Sequence, residues 1–259
     1  MRGFTRRQWL LTAGAGAAAW TAGPAGVGAV EDDGMVRIPA GPFAMGTTAG
    51  EAARLARAYG HHVSWLSGEV PQRTVDLAAY RIDRYPVTNR GFLAFCKGVG
   101  YGARPNWHGA EPPEALLDHP VVFVNKADAE AYAQWAGKRL PTEAQWEKAA
   151  RGATRRLFPW GDEFDPDACQ WDAGGDVGQL GTAPVTAHPR GASPYGVMDL
   201  SGNAAEWCAD GPGPGSAFLK GGCWMTTQPI NLRPAARNMS GFANNASAFY
   251  GFRCVKEAG

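Results

Sequence analysis

Five cysteines and five histidines are the residues of this chain best suited to nucleophilic or metal chemistry, and their spacing narrows the choice. Cys96, Cys169, Cys208, Cys223 and Cys254 are an odd number with no C-x-x-C pair, so a zinc site of the usual spacing is unsupported. In an oxidising compartment they allow one or two disulfides and leave at least one thiol over. Among His61, His62, His108, His119 and His188 the only close pair is His61-His62, and adjacent residues do not converge on one helix face. That pair reads as part of an exposed loop. Glu143 and Glu147 share a helix face at i, i+4, but beside Lys138, Arg139 and Arg151 they read as ion-paired and structural. The glycine-rich run from Gly174 to Gly181 has no strand before it and no helix after it, so it does not qualify as a phosphate loop. Asn238, Asn244 and Asn245 with Phe242, Phe249 and Tyr250 form a polar-aromatic set that suits a peptide or small ligand, and equally an ordered loop.

Composition removes several classes of function. A net charge of +1 supplies no basic face for nucleic acid. After the first thirty residues no apolar run is long enough to span a membrane. The 35 glycines and 19 prolines, without a period, require many turns and little long regular structure. Ten tryptophans then carry much of the burial. Residues 1–30 read as a twin-arginine export signal: Thr5-Arg6-Arg7-Gln8-Trp9-Leu10, the weakly apolar stretch Leu11 to Ala22, and a cleavage site at Val27-Gly28-Ala29. The mature domain, 31–259, is therefore expected to be periplasmic or secreted and to arrive already folded.

The elements that must position these residues are short. Met35 to Gly46 reads as two strands around a Pro/Gly turn, Glu51 to Tyr59 as a short helix, and Thr74 to Asp83 as one half-buried strand. Thr88 or Asn89 caps a helix with Phe92, Phe95 and Val99 on one face, and Cys96 beside them as core filler. Asn125 caps the next, which carries Ala127, Ala131 and Trp135 on one side and ends at Gly137. Thr142-Glu143-Ala144-Gln145 is a capping box opening a third helix that runs to about Arg151, stopped by Gly152. From Phe158 onward no helix is expected. The class is α+β, with few helices, little sheet and much ordered loop, whose polar backbone needs side chains, water or a metal ion as partners.

A series of segments, in order from about residue 35 to 256, resembles the formylglycine-generating-enzyme (sulfatase-modifying-factor) domain. They are Ile38-Pro39-Ala40-Gly41, Met45-Gly46, Tyr85-Pro86-Val87-Thr88-Asn89, His119-Pro120-Val121-Val122 and the stretch Gly137 to Glu147. Ala149-Ala150-Arg151-Gly152, Phe158-Pro159-Trp160-Gly161, Ser201 to Trp207, Gly221-Gly222, Arg233 to Arg237 and Gly251-Phe252-Arg253-Cys254 complete it. Each is weak alone, and together in this order they are specific. The resemblance implies a compact C-type-lectin-like fold. The family includes copper enzymes that oxidise a substrate cysteine to formylglycine, iron-dependent sulfoxide synthases, periplasmic proteins of pyoverdine chromophore maturation and pure binding modules. The site, not the fold, must therefore decide the function.

Copper-dependent members hold Cu(I) with two thiolates placed after the Gly-Gly pair, and the corresponding positions here are Thr226 and Asn231. Neither supplies a thiolate, so copper is not expected. Cys223 stands where the family usually has Ser and should face the same pocket; with Cys208 it could ligate a metal, form a disulfide, or remain one of two buried thiols. Cys254 lacks the family's usual disulfide partner, because the matching position is Ala133. The iron mechanism needs a three-histidine site that these histidines do not space. The resemblance also implies one structural Ca²⁺ at Asp199, Gly202, Ala204 and Glu206, a set of hard oxygen donors, with Asp176 a shifted ligand of a degraded second site.

Two readings follow. In the first the chain is an oxidative tailoring or maturation enzyme acting on a peptide or exported protein, with Cys223, Trp224, Thr226, Asn231, Arg233 and Arg237 lining its pocket and Arg237 orienting a substrate carboxylate. A variant of that reading is a rearranged metal enzyme built on Cys223. In the second, the same groove is a recognition surface of a non-catalytic accessory factor for another exported protein, which could itself be a copper protein. A monomer is expected in either case.

Overall fold

The structure, a computed structural model, describes residues 33–258 apart from 103, 104, 106, 108, 174–180 and 238. Residues 1–30, read above as an export signal, lie outside the described residues, as do His108, Asn238 and Asp176 with most of its glycine-rich run.

Strand β1 (Met35–Ile38) pairs antiparallel with β4 (Tyr80–Asp83), and β4 pairs antiparallel with β9 (Val255–Glu257). This joins the beginning and end of the described chain. A second ladder pairs β2 (Gly41–Met45) with β3 (Arg73–Leu77), setting Phe43 opposite Val75. The third sheet has the order β7-β6-β5-β8, built from β5 (Ala205–Trp207), β6 (Ser216–Lys220), β7 (Ser240–Phe242) and β8 (Tyr250–Gly251). Four α-helices complete the regular structure among the described residues: α1 (Ala49–Ala58), α2 (Asn89–Val99), α3 (Lys126–Trp135) and α4 (Glu143–Arg151). After α4 only short 3₁₀ turns are helical among the described residues, as expected.

The caps are those the sequence announces. Thr88 Oγ1 accepts the Gly91 N–H at 3.2 Å. Asn125 with Asp128, and Thr142 with Gln145, form reciprocal capping boxes, and Gly152 turns away from α4 at φ 73°. Three expectations need correcting. Residues 74–83 are not one strand: the backbone breaks at Ala78-Ala79, and the two halves pair with different partners. Val99 is exposed, because α2 buries only the face that meets the aromatic core, and Val99 lies in its last turn beside Gly100. On α3 the buried positions are Asp128, Ala129 and Ala133, whereas Ala127 and Trp135 face outward. Phe92 stacks on Tyr132 at 6.0 Å, and both rings meet Phe252, which rotates α3 so that the Ala129–Ala133 side points in.

Two larger clusters divide the core. One centres on Phe92, Phe95, Trp107, Trp207 and Phe252. The other packs Val36, Ile38, Tyr80 and Ile82 against Trp146, Ala149 and Ala150 of α4. Between elements distant in sequence runs a buried pair. Arg253 donates through Nε and Nη2 to Glu206, at 2.7 Å each, and Trp146 Nε1 donates to the same carboxylate at 2.7 Å. The guanidinium also reaches the carbonyls of Asp83, Arg84, Met198 and Asp199. One side chain thus satisfies loop carbonyls that no ladder could reach.

Removing that cation leaves a carboxylate buried without charge compensation. Arg253→Met is therefore expected to cost about 3–5 kcal/mol in urea unfolding. A loss below about 1 kcal/mol would mean that some other cation neutralises Glu206.

Candidate functional site

The site is organised by a glycine pair. Strand β6 ends at Lys220, and Gly221 and Gly222 follow with φ 93° and 71°. A Cβ on Gly222 would lie 2.9 Å from Leu232 Cδ2 and 3.1 Å from both Thr226 Oγ1 and the Asn231 carbonyl. Glycine is required there both by conformation and by space. The chain then turns through Cys223–Thr226: Thr226 N–H donates to the Cys223 carbonyl at 2.9 Å, and Thr226 Oγ1 accepts the Cys223 N–H at 3.0 Å. Cys223 Sγ lies 3.7 Å from that hydroxyl. Burial raises the Cys223 pKa above the ordinary thiol value, only partly offset by hydrogen bonds from the Met225 and Thr226 backbone and the Thr226 side chain, so the group is a thiol. Trp224 points elsewhere, donating to the Ala248 carbonyl at 3.0 Å and packing on Phe249.

Beside this turn is a narrow cleft lined by Trp65, Leu66, Ile230, Asn231, Arg233 and Arg237. Its arginines are committed. Arg233 grips Glu69 through Nη1 at 3.0 Å and Nη2 at 2.6 Å, with its Nε on the Ile230 carbonyl. Arg237 closes a two-point clasp on Glu143, Nε to Oε1 at 2.6 Å and Nη2 to Oε2, while Nη1 donates to the Gly68 carbonyl. The expectation that Arg237 orients a substrate carboxylate is thereby corrected, since Glu143 already occupies the guanidinium fork. Behind it, Lys220 Nζ bridges Glu143 at 3.1 Å and Glu147 at 3.5 Å, and Arg151 pairs with Glu147 at 2.7 Å. Glu143 and Glu147 are indeed ion-paired, and Arg151 is one of the partners foreseen. Lys138 and Arg139 instead bind Asp83 and Glu257. Burial alone would raise the Glu143 pKa. The Arg237 hydrogen bond and the charges of Lys220 and Arg237 outweigh it and hold the carboxyl below its ordinary value.

The structure brings Thr226, Asn231 and Cys223 around Gly222 and leaves Trp224 on another face. The two positions read as counterparts of copper thiolates carry a hydroxyl and an amide, and the one thiol nearby is protonated and buried. These residues do not fit cuprous ion. No disulfide links the five cysteines, all of which lie among the described residues. Cys208 lies in the cluster that contains Val36 and Trp146 and Cys223 in the other large cluster, with no disulfide between them.

The calcium expectation meets a mixed set. Asp199 and Asn203 adopt positive φ of 59° and 58° around Gly202, whose Cβ would strike the Gln170 carbonyl at 2.1 Å. Burial raises the Asp199 pKa to about 7, while Asn203 Nδ2 donates to its Oδ2 at 2.7 Å. That carboxylate suits a cation. Glu206 does not fit the donor set, because Arg253 and Trp146 already hold both its oxygens. Among the described residues no group of three or more His, Cys, Asp or Glu side chains is arranged to hold a metal.

Three contributors escape sequence reasoning. Glu69 is separated from Arg233 by 164 positions, and nothing local marks it. Trp65 carries no pattern that distinguishes a rim indole from a core one. Lys220 had a usable signal, a lone lysine closing the apolar strand Ser216–Lys220 directly before the glycine pair.

A model of the sulfatase-modifying factor enzyme 1-like domain matches residues 23–258. The chain belongs to that family. Within it, the chain is 34% identical to a formylglycine-generating enzyme of Streptomyces coelicolor, over 87% of this chain and 90% of the relative. It is 32% identical to an inactive C-alpha-formylglycine-generating enzyme 2 of Mus musculus, over 90% and 89%. PvdO from Pseudomonas aeruginosa superposes with a TM-score of 0.69 at 27% identity, covering 86% of this chain and 94% of that one. The α+β, formylglycine-generating-enzyme-type fold expected from the sequence is thus the fold observed.

Because the folded pKa of Glu143 lies below its unfolded value, its ion pairs stabilise fully above the unfolded carboxylate range, about pH 4.3, and the contribution fades as pH falls through the folded value. The difference in melting temperature between wild type and Glu143→Gln is therefore expected to be large near pH 7 and to shrink on acidification. A difference independent of pH would show that the carboxylate charge contributes nothing.

Proposed function

We propose that this chain is an exported maturation factor of the sulfatase-modifying-factor family that binds a peptide or protein and takes part in its oxidative tailoring. In this reading it does not work by a cuprous dithiolate. Family membership and the catalytic relatives support the oxidative role. The observation that carries the second half is the pair of oxygen-bearing side chains, Thr226 and Asn231, where two sulfurs would be needed. In this proposal residues 1–30 direct the folded protein to the periplasm or outside.

In the same proposal a structural Ca²⁺ sits at the Asp199 loop, held by the Asp199 carboxylate with the backbone carbonyls of Gly202 and Ala204. Glu206 serves Arg253 instead. The ion would neutralise a buried carboxylate and brace a loop that departs from regular structure. The residues around Gly222 then bind and shield the substrate: Cys223 and Thr226 fix the turn, and Asn231 presents a side-chain amide.

A second reading is the non-catalytic accessory factor. It is favoured by the closed guanidinium forks of Arg233 and Arg237, which leave the cleft without a free guanidinium among the described residues.

Metal analysis of the folded, exported protein tests the proposal. About one calcium per chain and no stoichiometric copper or iron are expected, with unchanged metal content in Cys223→Ser. Chelation of calcium is expected to lower the melting temperature, because a ligand bound only by the folded state stabilises it. Stoichiometric copper that disappears in Cys223→Ser would overturn the reading, as would conversion of a peptidyl cysteine to an aldehyde by the copper-loaded wild type.

A further inference from the structure

We infer that residues 61–68 are a lid, closed in this structure, which lifts to admit a substrate between itself and the segment Ile230 to Arg237. This rests on the reading above that the residues around Gly222 and Asn231 bind a substrate.

The need for movement comes from size. The cleft is lined from two stretches, Trp65, Leu66 and Glu69 in one and residues 230–237 in the other. Its volume is about 10 Å³, room for a single water. Ile230 and Ala236 are buried there. No peptide group enters such a space, so the first stretch covers the second.

The covering piece can move as a unit. His62 Nδ1 accepts the Ser64 N–H at 3.3 Å, Trp65 N–H donates to the His62 carbonyl at 3.1 Å, and Ser67 Oγ donates to the Ser64 carbonyl at 2.8 Å. These bonds join neighbours, so they travel with the segment. Gly60 precedes it at φ 68°, and a Cβ there would meet nothing within 4 Å. A glycine in open space can absorb the change of backbone direction that lifting requires. The far end is fixed. Arg233 grips both oxygens of Glu69, Thr47 Oγ1 donates to Oε2 at 2.6 Å, and the Glu69 carbonyl accepts the Thr47 N–H at 2.8 Å. Moving Glu69 would strand a buried guanidinium, so the second pivot lies before it, at Gly68.

Between the pivots, Leu66 seats the lid in a buried cluster with Ala52, Leu55, Ala56 and Ile230. Arg237 Nη1 donates to the Gly68 carbonyl at 3.2 Å. Val63 and Trp65 face solvent. Lifting gives up the leucine's burial and that hydrogen bond. It opens no buried ion pair, because Arg237 keeps its clasp on Glu143 and Arg233 keeps Glu69.

The test alkylates the full chain carrying Ala236→Cys with iodoacetamide, without substrate, and follows each thiol by mass spectrometry. Cys208 and Cys254, both 0% exposed, report unfolding of the whole domain. The introduced thiol is expected to react at least about tenfold faster than these two and at least about tenfold slower than a small free thiol. Adding Leu66→Ala is expected to raise its rate about tenfold relative to the core thiols, and reading that ratio cancels any general loss of stability. Reaction as fast as the free thiol's would mean that the cleft is already open. Reaction as slow as the core thiols' would mean that it opens only on global unfolding, and a ratio unmoved by Leu66→Ala that this leucine does not hold a lid. Each of these overturns the inference. Labelling involves no ligand, so a lid that lifts in a chain that binds no peptide would sink the substrate reading alone.

Discussion

The structure depends on charges buried where regular hydrogen-bond ladders are scarce. Most of its chain after α4 is loop, and loop backbone must find partners one group at a time. Arg253 does this for four carbonyls at once, and it can sit in the interior only because Glu206 cancels its charge. Lys220 plays the corresponding part under the cleft, tying β6 to α4 through Glu143 and Glu147. Such pairs add little net stability over a well-packed apolar alternative, but breaking one is costly. Their effect here is to fix a single arrangement of segments that packing alone would hold loosely.

The same constraint shapes the chemistry. The guanidinium groups nearest the cleft close on Glu69 and Glu143, and so do not serve as free ligand-binding cations. Around Gly222 the oxygen of Thr226 is drawn into a turn with Cys223, whose sulfur burial keeps protonated. A family scaffold is thus retained with a hydroxyl at Thr226 and an amide at Asn231 after the glycine pair. Relatives of similar identity include both an active and an inactive formylglycine-generating enzyme, so identity at this level leaves catalysis open. The character of the site decides what is proposed.

Much of this was legible in the amino-acid order because its causes are local. Thr88, Asn125 and Thr142 cap the helices they precede through hydrogen bonds three residues away, and glycine after a helix ends it by its freedom at positive φ. Thr226 and Asn231 could be set against the copper positions by counting from the glycine pair. The helix faces at Val99 and Trp135 were misjudged for the opposite reason. Periodicity gives the width of an apolar stripe, but which edge of it is buried depends on where Phe92, Tyr132 and Phe252 meet.

The sequence by itself determined the class of fold, the caps of α2, α3 and α4, and the absence of a cysteine pair after Gly222, since each is a property of a few neighbouring residues. Only the tertiary structure decided that Glu206 serves Arg253, that Arg237 is closed by Glu143, and that Glu69 and Trp65 belong to the cleft at all. Those facts join residues dozens to more than a hundred positions apart. A charge's partner is set by which segments the fold brings within a few ångströms, and no local pattern encodes that distance.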